Sequence, residues 1–221
     1  MEEFLPSAPE TAESAVKGGG PTSDRRRRFL GLLAAFGAAL VIAVLLRLFV
    51  FQASWIPSGS MRPTLVEGDF ILVNRLAYLV REPRRGEVVV FRRGEEDYVK
   101  RLLALPGDRF SFAGDYLAVN GERLDERAYL AKGAWGRTRG GERFGEEEHV
   151  LPPGSYLVLG DNRNSSDDGR GSLGYVHRDE IIGKAFMVYL SVNLPQMRDD
   201  GESGLAVLGY VRWDRMLDVV R

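Results

Sequence analysis

The feature that most constrains the fold is an uninterrupted apolar run from Phe29 to Leu46, which follows four consecutive arginines at 25–28. A run of this length matches the roughly 20 residues that an α-helix needs to cross about 30 Å of hydrocarbon. Arg47, near the end of the run, can extend its charged group toward a membrane interface. The sequence therefore predicts a transmembrane anchor over residues 29–51.

A cleavable export signal is the alternative interpretation of this run. Such signals have apolar regions of about 7–15 residues and small residues at the cleavage position. The run here is longer, and Phe51-Gln52-Ala53 is a poor small-x-small match, so an uncleaved anchor is favoured. Because basic residues mark the cytoplasmic flank of a span, we expect a single-pass protein of the cytoplasmic membrane. Its N-terminus would be cytoplasmic and residues 52–221 extracytoplasmic.

The segments on either side of the anchor differ in character. Residues 1–28 contain much Pro, Ser, Gly, Thr and Glu and few apolar residues, which predicts a disordered cytoplasmic tail. Residues 52–221 contain short apolar or β-branched runs bounded by Gly, Pro and Asp, as is typical of strands. These runs are 70–73, 87–91, 98–105, 155–159 and 181–190, with a hairpin over 115–124 that turns at Asn120-Gly121. Since no helices alternate with them, the predicted fold class is mainly β, an antiparallel sheet domain behind one transmembrane helix.

Two parts of this β domain are less regular. Residues 125–150 are glycine-rich, charged and weakly periodic, and we interpret them as an inserted, mobile excursion. The acidic run before His149 indicates a solvated loop rather than a metal site, because adjacent side chains do not converge on one point. Residues 205–221 have apolar residues at mixed spacing and predict only a short amphipathic element.

Composition excludes several kinds of function. The net charge is −1 and the arginines are interspersed with acids, so no nucleic-acid partner is expected. The absence of cysteine excludes thiol nucleophiles and thiolate metal ligands. The two histidines, His149 and His177, are too few for a multi-histidine metal site, and no cofactor is predicted. Lysine is scarce beside arginine, which makes each lysine in a motif more informative.

Three separated stretches carry the candidate chemistry. They are Ser58-Gly59-Ser60-Met61-Arg62-Pro63-Thr64-Leu65, Tyr98 to Asp108 around Lys100, and Gly160 to Arg170. A serine hydroxyl is a weak nucleophile without a base, and an amine is a base only when it is uncharged. Lowering the pKa of a lysine from ~10.4 by ~3 units requires about 4 kcal/mol of bias against the charged form, which burial can supply. The apolar neighbours of Lys100 favour such burial.

Together with the anchor, these stretches resemble bacterial type I signal peptidases (leader peptidases), membrane-anchored Ser/Lys serine proteases that cleave signal peptides from exported preproteins. The resemblance implies that Ser60 is the nucleophile and Lys100 the general base. It also implies that the Ser58 hydroxyl and the Ser60 N–H form an oxyanion hole, and that Ser166 orients the lysine. The supporting network that it implies consists of Asp161, Arg163, Asp168 and Arg170. The implied partners are preproteins and the lipid bilayer, and the oligomeric state stays open.

Two positions depart from the family pattern. Gly169 stands where a small polar residue is common, and His177 where proline is common. A Ser-His-Asp triad built on His177 is a minor alternative.

A membrane-tethered β domain that binds a partner without catalysis would explain the anchor and strands but not the three stretches. A self-cleaving protease of the repressor type would predict a soluble DNA-binding protein, which the anchor and charge disfavour.

Overall fold

The N-terminal helix is a compact unit by itself. The computed structural model describes residues 21–45, 50–127, 138–201 and 203–220, and the first of its two compact units ends at Val44. Helix α1 (Pro21–Leu45) contains a stretch, Arg27–Val44, that is long and apolar enough by length and composition to cross a membrane. Proline is well suited to the first turn of a helix and arginine is a good helix former. The described helix therefore includes residues 21–28 of the segment predicted to be a disordered tail, and residues 1–20 of that segment lie outside the described residues.

The predicted end of the anchor is wrong at Phe51. This residue begins β1 (Phe51–Trp55), which pairs antiparallel with β2 (Asp69–Asn74) so that Phe51 lies opposite Asn74. The Phe51 ring packs against the ring of Phe186, with 5.5 Å between centroids. Its apolar side chain thus packs within the β unit, and the described part of α1 is Pro21–Leu45.

The described strands form two antiparallel sheets, which confirms the predicted fold class. The remaining strands are β3 (Val88–Arg93), β4 (Glu96–Ala104), β5 (Arg109–Ala113), β6 (Tyr116–Val119), β7 (Glu122–Arg123), β8 (His149–Val150), β9 (Ser155–Leu159), β10 (Val176–His177), β11 (Ile181–Ser191) and β12 (Asp218–Val219). The larger sheet has the order β1-β2-β11-β3-β4-β9-β10, with β12 on β11, and the smaller has the order β7-β6-β5-β8. All strand runs predicted from the sequence appear in these sheets.

The predicted hairpin is confirmed in its turn geometry. Strands β6 and β7 pair with Val119 opposite Glu122, and the two residues between them, Asn120 and Gly121, have φ values of 55° and 81°. Positive φ at both central positions is the signature of a type I′ turn.

Part of the glycine-rich excursion is packed rather than solvated. Phe144 is 6% exposed and its ring contacts those of Phe110 and Phe112 in the core of the small sheet. His149 forms β8, which pairs with β5, and its ring stacks on Phe110. The ring contacts of Phe144 and His149 with Phe110 explain why the second half of the excursion folds back onto the sheet. Residues 128–137, within the predicted excursion, lie outside the described residues.

The C-terminal region contains short elements only. Helix α2 (Leu194–Asp199) is followed by 3₁₀ turns at Gly204–Tyr210 and Trp213–Arg215, and then by β12, where Val219 lies opposite Met187 of β11. The amphipathic element predicted for residues 205–221 is therefore two 3₁₀ turns and a short strand, anchored on the large sheet.

Candidate active site

The loop that carries Ser60 is held by two buried apolar side chains that follow the serine in sequence. Ser60 lies in a single 3₁₀ turn, Gly59–Met61, in which the Arg62 N–H donates to the Gly59 carbonyl at 3.1 Å. Met61 and Leu65 are almost completely buried beneath the large sheet, and the Leu65 N–H donates to the Met61 carbonyl at 3.0 Å. These contacts fix the main chain on both sides of the serine.

Lys100 meets Ser60 directly. It lies on the central strand β4 opposite Val89, and its Nζ is 2.8 Å from Ser60 Oγ. The residue is only 4% exposed. Burial lowers the pKa of the Lys100 ammonium below its ordinary value, because the charged form loses its hydration. Strand β4 thus presents an amine that is biased toward the neutral form to a serine hydroxyl.

Three carboxylates partly offset the lowering of the Lys100 pKa by burial. Asp168, Asp167 and Asp161 each favour the charged lysine through their negative charges, in that order of size. Burial outweighs their sum, since the net shift of the Lys100 pKa is downward. The pKa of the Lys100 ammonium is therefore set by a balance between burial, which lowers it, and the nearby carboxylates, which raise it.

Gly160 brings the third stretch against the serine. In the β4–β9 ladder Arg101 lies opposite Leu159, so the chain that leaves β9 at Gly160 comes alongside Lys100. A Cβ atom on Gly160 would lie 2.2 Å from Ser166 Oγ and 2.4 Å from the Ser60 carbonyl oxygen. Only a residue without a side chain permits this close approach. The sequence alone indicates no role for Gly160.

Asn162 hydrogen-bonds the turn that carries Gly160 to the serine loop. Its N–H donates to the Ser60 carbonyl at 3.0 Å, and its side-chain amide donates to the Gly59 carbonyl at 3.1 Å. These two bonds hold the peptide groups on either side of the nucleophile candidate. Asn162 was also missed as a functional candidate, although an asparagine in a turn is a frequent main-chain ligand.

Ser58 and Ser166 both lie near the pair but make different contacts. The Ser58 hydroxyl donates to Ser60 Oγ at 3.4 Å. The Ser166 hydroxyl packs beside Gly160, and its hydrogen bond within the described chain goes to the Asp167 carbonyl at 3.5 Å. The orienting role of Ser166 toward Lys100 therefore stays a prediction.

Asp161 is part of a fully buried ion pair. Arg101 donates to it in a two-pronged arrangement, with Nε to Oδ1 at 2.8 Å and Nη2 to Oδ2 at 2.7 Å, and both residues are 0% exposed. The Thr64 hydroxyl donates to the same carboxylate at 2.6 Å. Since Arg101 adjoins Lys100 and Thr64 lies on the serine loop, this pair joins all three stretches. Arg101 and Thr64 were missed as site residues because their shared partner is distant in sequence.

The other predicted supporting residues also form buried networks. Burial alone would raise the pKa of Asp168, but hydrogen bonds from Arg170 and from the Gly160 N–H hold it below its ordinary value. Arg163 donates from Nε to the Gly160 carbonyl at 3.0 Å and from Nη1 to Glu126 at 2.6 Å. The turn that carries Gly160 is thus braced on two sides by arginines.

The two departures from the family pattern have structural accounts. A Cβ on Gly169 would lie 2.8 Å from the Val158 carbonyl oxygen and 2.9 Å from Leu157 Cδ1, so the position leaves no room for a small polar side chain. His177 lies with its Nδ1 3.3 Å from the Ser155 hydroxyl, whereas Ser60 is in contact with Lys100. A triad of Ser60 with His177 finds no support in this arrangement.

A serine hydroxyl in hydrogen-bond contact with a buried amine, on an antiparallel β scaffold, is typical of hydrolases that use lysine in place of histidine as the base. Comparison with known proteins identifies the family. Residues 29–190 match the family model described as signal peptidase, peptidase S26. The chain belongs to this family of serine endopeptidases, which remove signal peptides from preproteins.

Two relatives found by sequence agree with the family match. The chain is 43% identical over 162 residues to signal peptidase I of Bacillus caldolyticus, covering 70% of this chain and 87% of that protein. It is 36% identical over 207 residues to signal peptidase I of Pseudomonas aeruginosa, covering 74% and 73%. A solved signal peptidase I from Enterococcus faecalis V583 aligns with a TM-score of 0.38 and 28% identity, over 47% of this chain and 97% of that one. The N-terminal apolar helix is consistent with membrane anchoring in this family.

Proposed function

We propose that this protein cleaves signal peptides from exported preproteins with Ser60 as nucleophile and Lys100 as general base. The observation that carries the proposal is the 2.8 Å contact between Lys100 Nζ and Ser60 Oγ, made by a lysine that is 4% exposed. In the described part of the chain His177 lies against Ser155, so the amine is the base that this arrangement favours.

The reaction proceeds through an acyl-enzyme. The neutral amine of Lys100 takes the proton of Ser60 as Oγ attacks the scissile carbonyl carbon. The resulting oxyanion accepts hydrogen bonds from the Ser58 hydroxyl and the Ser60 N–H. The lysine ammonium then gives its proton to the leaving amine, and the peptide bond breaks. A water molecule, deprotonated by the neutral lysine, attacks the ester, and collapse of the second intermediate returns the proton to Ser60.

Burial of Lys100 is what permits this cycle near neutral pH. An exposed lysine would hold its proton and could not accept another from serine. Asp161, Arg163, Asp168 and Arg170 are proposed to support the site rather than to react. Their contacts with Arg101, Gly160 and the serine loop restrain the positions of the two reacting atoms, and accurate placement is a large part of catalysis.

The substrate is proposed to bind as an extended peptide that is read at alternate positions. The family resemblance implies small residues at the first and third positions before the cleaved bond. Main-chain pairing tolerates sequence variation, while shallow pockets select every second side chain. A preprotein with Phe in place of Ala at the first position should not be cleaved. Equal cleavage rates for the two substrates would refute this part of the proposal.

The proposed topology places residues before the helix in the cytoplasm and the β unit outside. The arginine quartet at 25–28 and the membrane-spanning potential of Arg27–Val44 support it. Because the chain has no cysteine, single-cysteine variants can report on it cleanly. In intact spheroplasts a membrane-impermeant maleimide should label Glu122→Cys and spare Ala15→Cys. The opposite labelling would invert the topology.

The experiment that tests the reaction is cleavage of a labelled preprotein by the purified full chain, with Ser60→Ala as the comparison. The parent should release the signal peptide and Ser60→Ala should not. A binding protein without catalysis would leave the preprotein intact in both samples, and cleavage by both would exclude Ser60 as the nucleophile.

A further inference from the structure

The C-terminal segment, residues 203–220, lies beyond the family match at 29–190 but contacts the serine loop. It pairs through β12 with β11, and two of its arginines, Arg212 and Arg215, are only about one-fifth exposed in their side chains (24% and 19%). Arginine side chains are usually solvated. The partial burial of both side chains indicates that they make specific contacts.

Both arginines converge on the buried carboxylate of Asp69, at the start of β2. Arg215 Nη2 donates to Asp69 Oδ2 at 2.6 Å and its Nε to Oδ1 at 3.2 Å, while Arg212 Nη2 lies 3.6 Å from Oδ1. The Ser191 hydroxyl donates to the same Oδ1 at 2.6 Å. Burying a carboxylate that is 0% exposed is costly unless it is paired and hydrogen-bonded. Asp69 thereby attaches the segment to the sheet.

The same guanidinium groups also bind main-chain oxygens of the turn that follows the serine. Arg215 Nη2 donates to the Thr64 carbonyl at 3.1 Å, and Arg212 Nη2 donates to the Glu67 carbonyl at 2.6 Å. The Thr64 side chain is held on its other side by Asp161, the partner of Arg101. The turn 64–69 is therefore clamped between the C-terminal segment and the network beside Lys100.

We propose that Arg215 is a positioning residue for the reaction, which restrains the Ser60 loop through the Thr64 carbonyl and Asp69. This inference rests on the proposed function of Ser60 as nucleophile. Ser60 and Thr64 lie in two successive hydrogen-bonded turns, closed by Arg62 N–H to the Gly59 carbonyl and by Leu65 N–H to the Met61 carbonyl. Met61 and Leu65 are buried, so a shift at Thr64 is passed on to Ser60. Displacements of about 1 Å near reacting atoms can reduce a rate by two orders of magnitude.

The chemistry of arginine explains why this residue suits the task. A guanidinium group has five N–H donors in a planar fork and can bind a carboxylate and a carbonyl together, whereas an ammonium is a single point charge. Arg215→Lys should therefore keep an ionic contact with Asp69 and lose the simultaneous contact with Thr64. This variant separates neutralisation of the buried carboxylate from restraint of the loop.

The test compares Arg215→Gln and Arg215→Lys with the parent, with Arg198→Gln as a matched control at an exposed arginine of α2. Turnover of a labelled preprotein is measured per folded molecule, together with KM and amide hydrogen exchange at Leu65. Arg215→Gln should have a kcat on the order of ten-fold lower with KM within about two-fold. Arg215→Lys should have an intermediate kcat, the Leu65 amide should exchange faster in both variants, and Arg198→Gln should match the parent.

The outcomes separate the inference from the proposed function. A purely structural role would lower the melting temperature of both Arg215 variants but leave kcat per folded molecule and Leu65 exchange unchanged, and that result would overturn the inference. If Arg215→Gln does not fold, Arg215→Lys decides by the same criteria. Ser60→Ala is assayed in parallel. If it is inactive while both Arg215 variants retain parental kcat, only the positioning role fails; if it is active, the proposed function and the inference both fail.

Discussion

Gly160→Ala is the substitution for which the structure predicts the effect on catalysis most directly. The backbone of Gly160 is accessible to alanine, because its φ lies outside the left-handed region. The hydrogen bond from its N–H to Asp168 at 3.0 Å is also available to alanine. The effect of the added methyl group is therefore steric.

The size of the effect follows from two distances. The new Cβ would lie 2.4 Å from the Ser60 carbonyl oxygen, whereas ordinary contacts begin at 3.4 Å. Ser166, with Oγ 2.2 Å and Cβ 2.6 Å away, must shift as a whole, and the Ser60 carbonyl is main chain and must move by about 1 Å. The hydrogen bond between Lys100 and Ser60 is 2.8 Å long, so a shift of this size is enough to break it. The expected loss is about 100-fold in kcat, or about 2.7 kcal/mol of activation free energy.

The assay is steady-state cleavage of a labelled preprotein at saturating concentration, with melting temperature recorded to establish folding. Overpacking of this kind also costs about 1–3 kcal/mol of stability, so turnover is measured well below the midpoint of unfolding. Gly209→Ala is the matched control, because Gly209 has no atom within 4 Å of its added Cβ. A folded Gly160→Ala protein with kcat within two-fold of the parent would refute the steric argument.

Two further predictions concern electrostatics. The pH profile of kcat/KM should rise through the lowered pKa of Lys100, since only the neutral amine accepts the serine proton. The negative charge of Asp167 raises the Lys100 pKa, so Asp167→Asn should lower that pKa and move the rise in kcat/KM to lower pH. A shift to higher pH would contradict the assignment of the base. Asp161→Asn leaves Arg101 buried without its anionic partner and should reduce the free energy of unfolding by about 3–5 kcal/mol in urea titrations. Asp97→Asn, which breaks the exposed pair with Arg92, should reduce the free energy of unfolding by at most about 1 kcal/mol. Equal reductions in the Asp161→Asn and Asp97→Asn proteins would count against the buried-pair argument.

The sequence predicted the strands well because their signal is local. In β2 the residues from Asp69 to Asn74 alternate between buried and half-buried positions, and the turn at Asn120-Gly121 requires residues that accept positive φ. The boundary of the anchor was less accurate. Phe51 is equally suitable for a membrane or for packing against Phe186, and only the β1–β2 ladder distinguishes the two.

The residues that sequence reasoning missed depend on contacts between distant segments. Arg101 is fully buried because it pairs with Asp161, which follows β9 and is distant in sequence. No local pattern indicates that an arginine beside Lys100 is buried. Glu126 and Thr138 in the glycine-rich excursion both bind Arg163, although the excursion has no periodicity that predicts packing. Ser60 and Lys100 were candidates because three separated stretches together resemble one family, and the structure brings Lys100 Nζ within 2.8 Å of Ser60 Oγ.

The measurement that tests the central claim most directly is turnover of a labelled preprotein by Lys100→Arg. Arginine retains the positive charge but cannot lose a proton near neutral pH, so the variant should be as inactive as Lys100→Ala and Ser60→Ala. Lys184→Arg is the matched control, because it preserves a cationic partner for Glu87 away from Ser60, and it should retain parental turnover. If Lys100→Arg cleaved the preprotein at the parental rate while His177→Ala did not, Lys100 would not be the base.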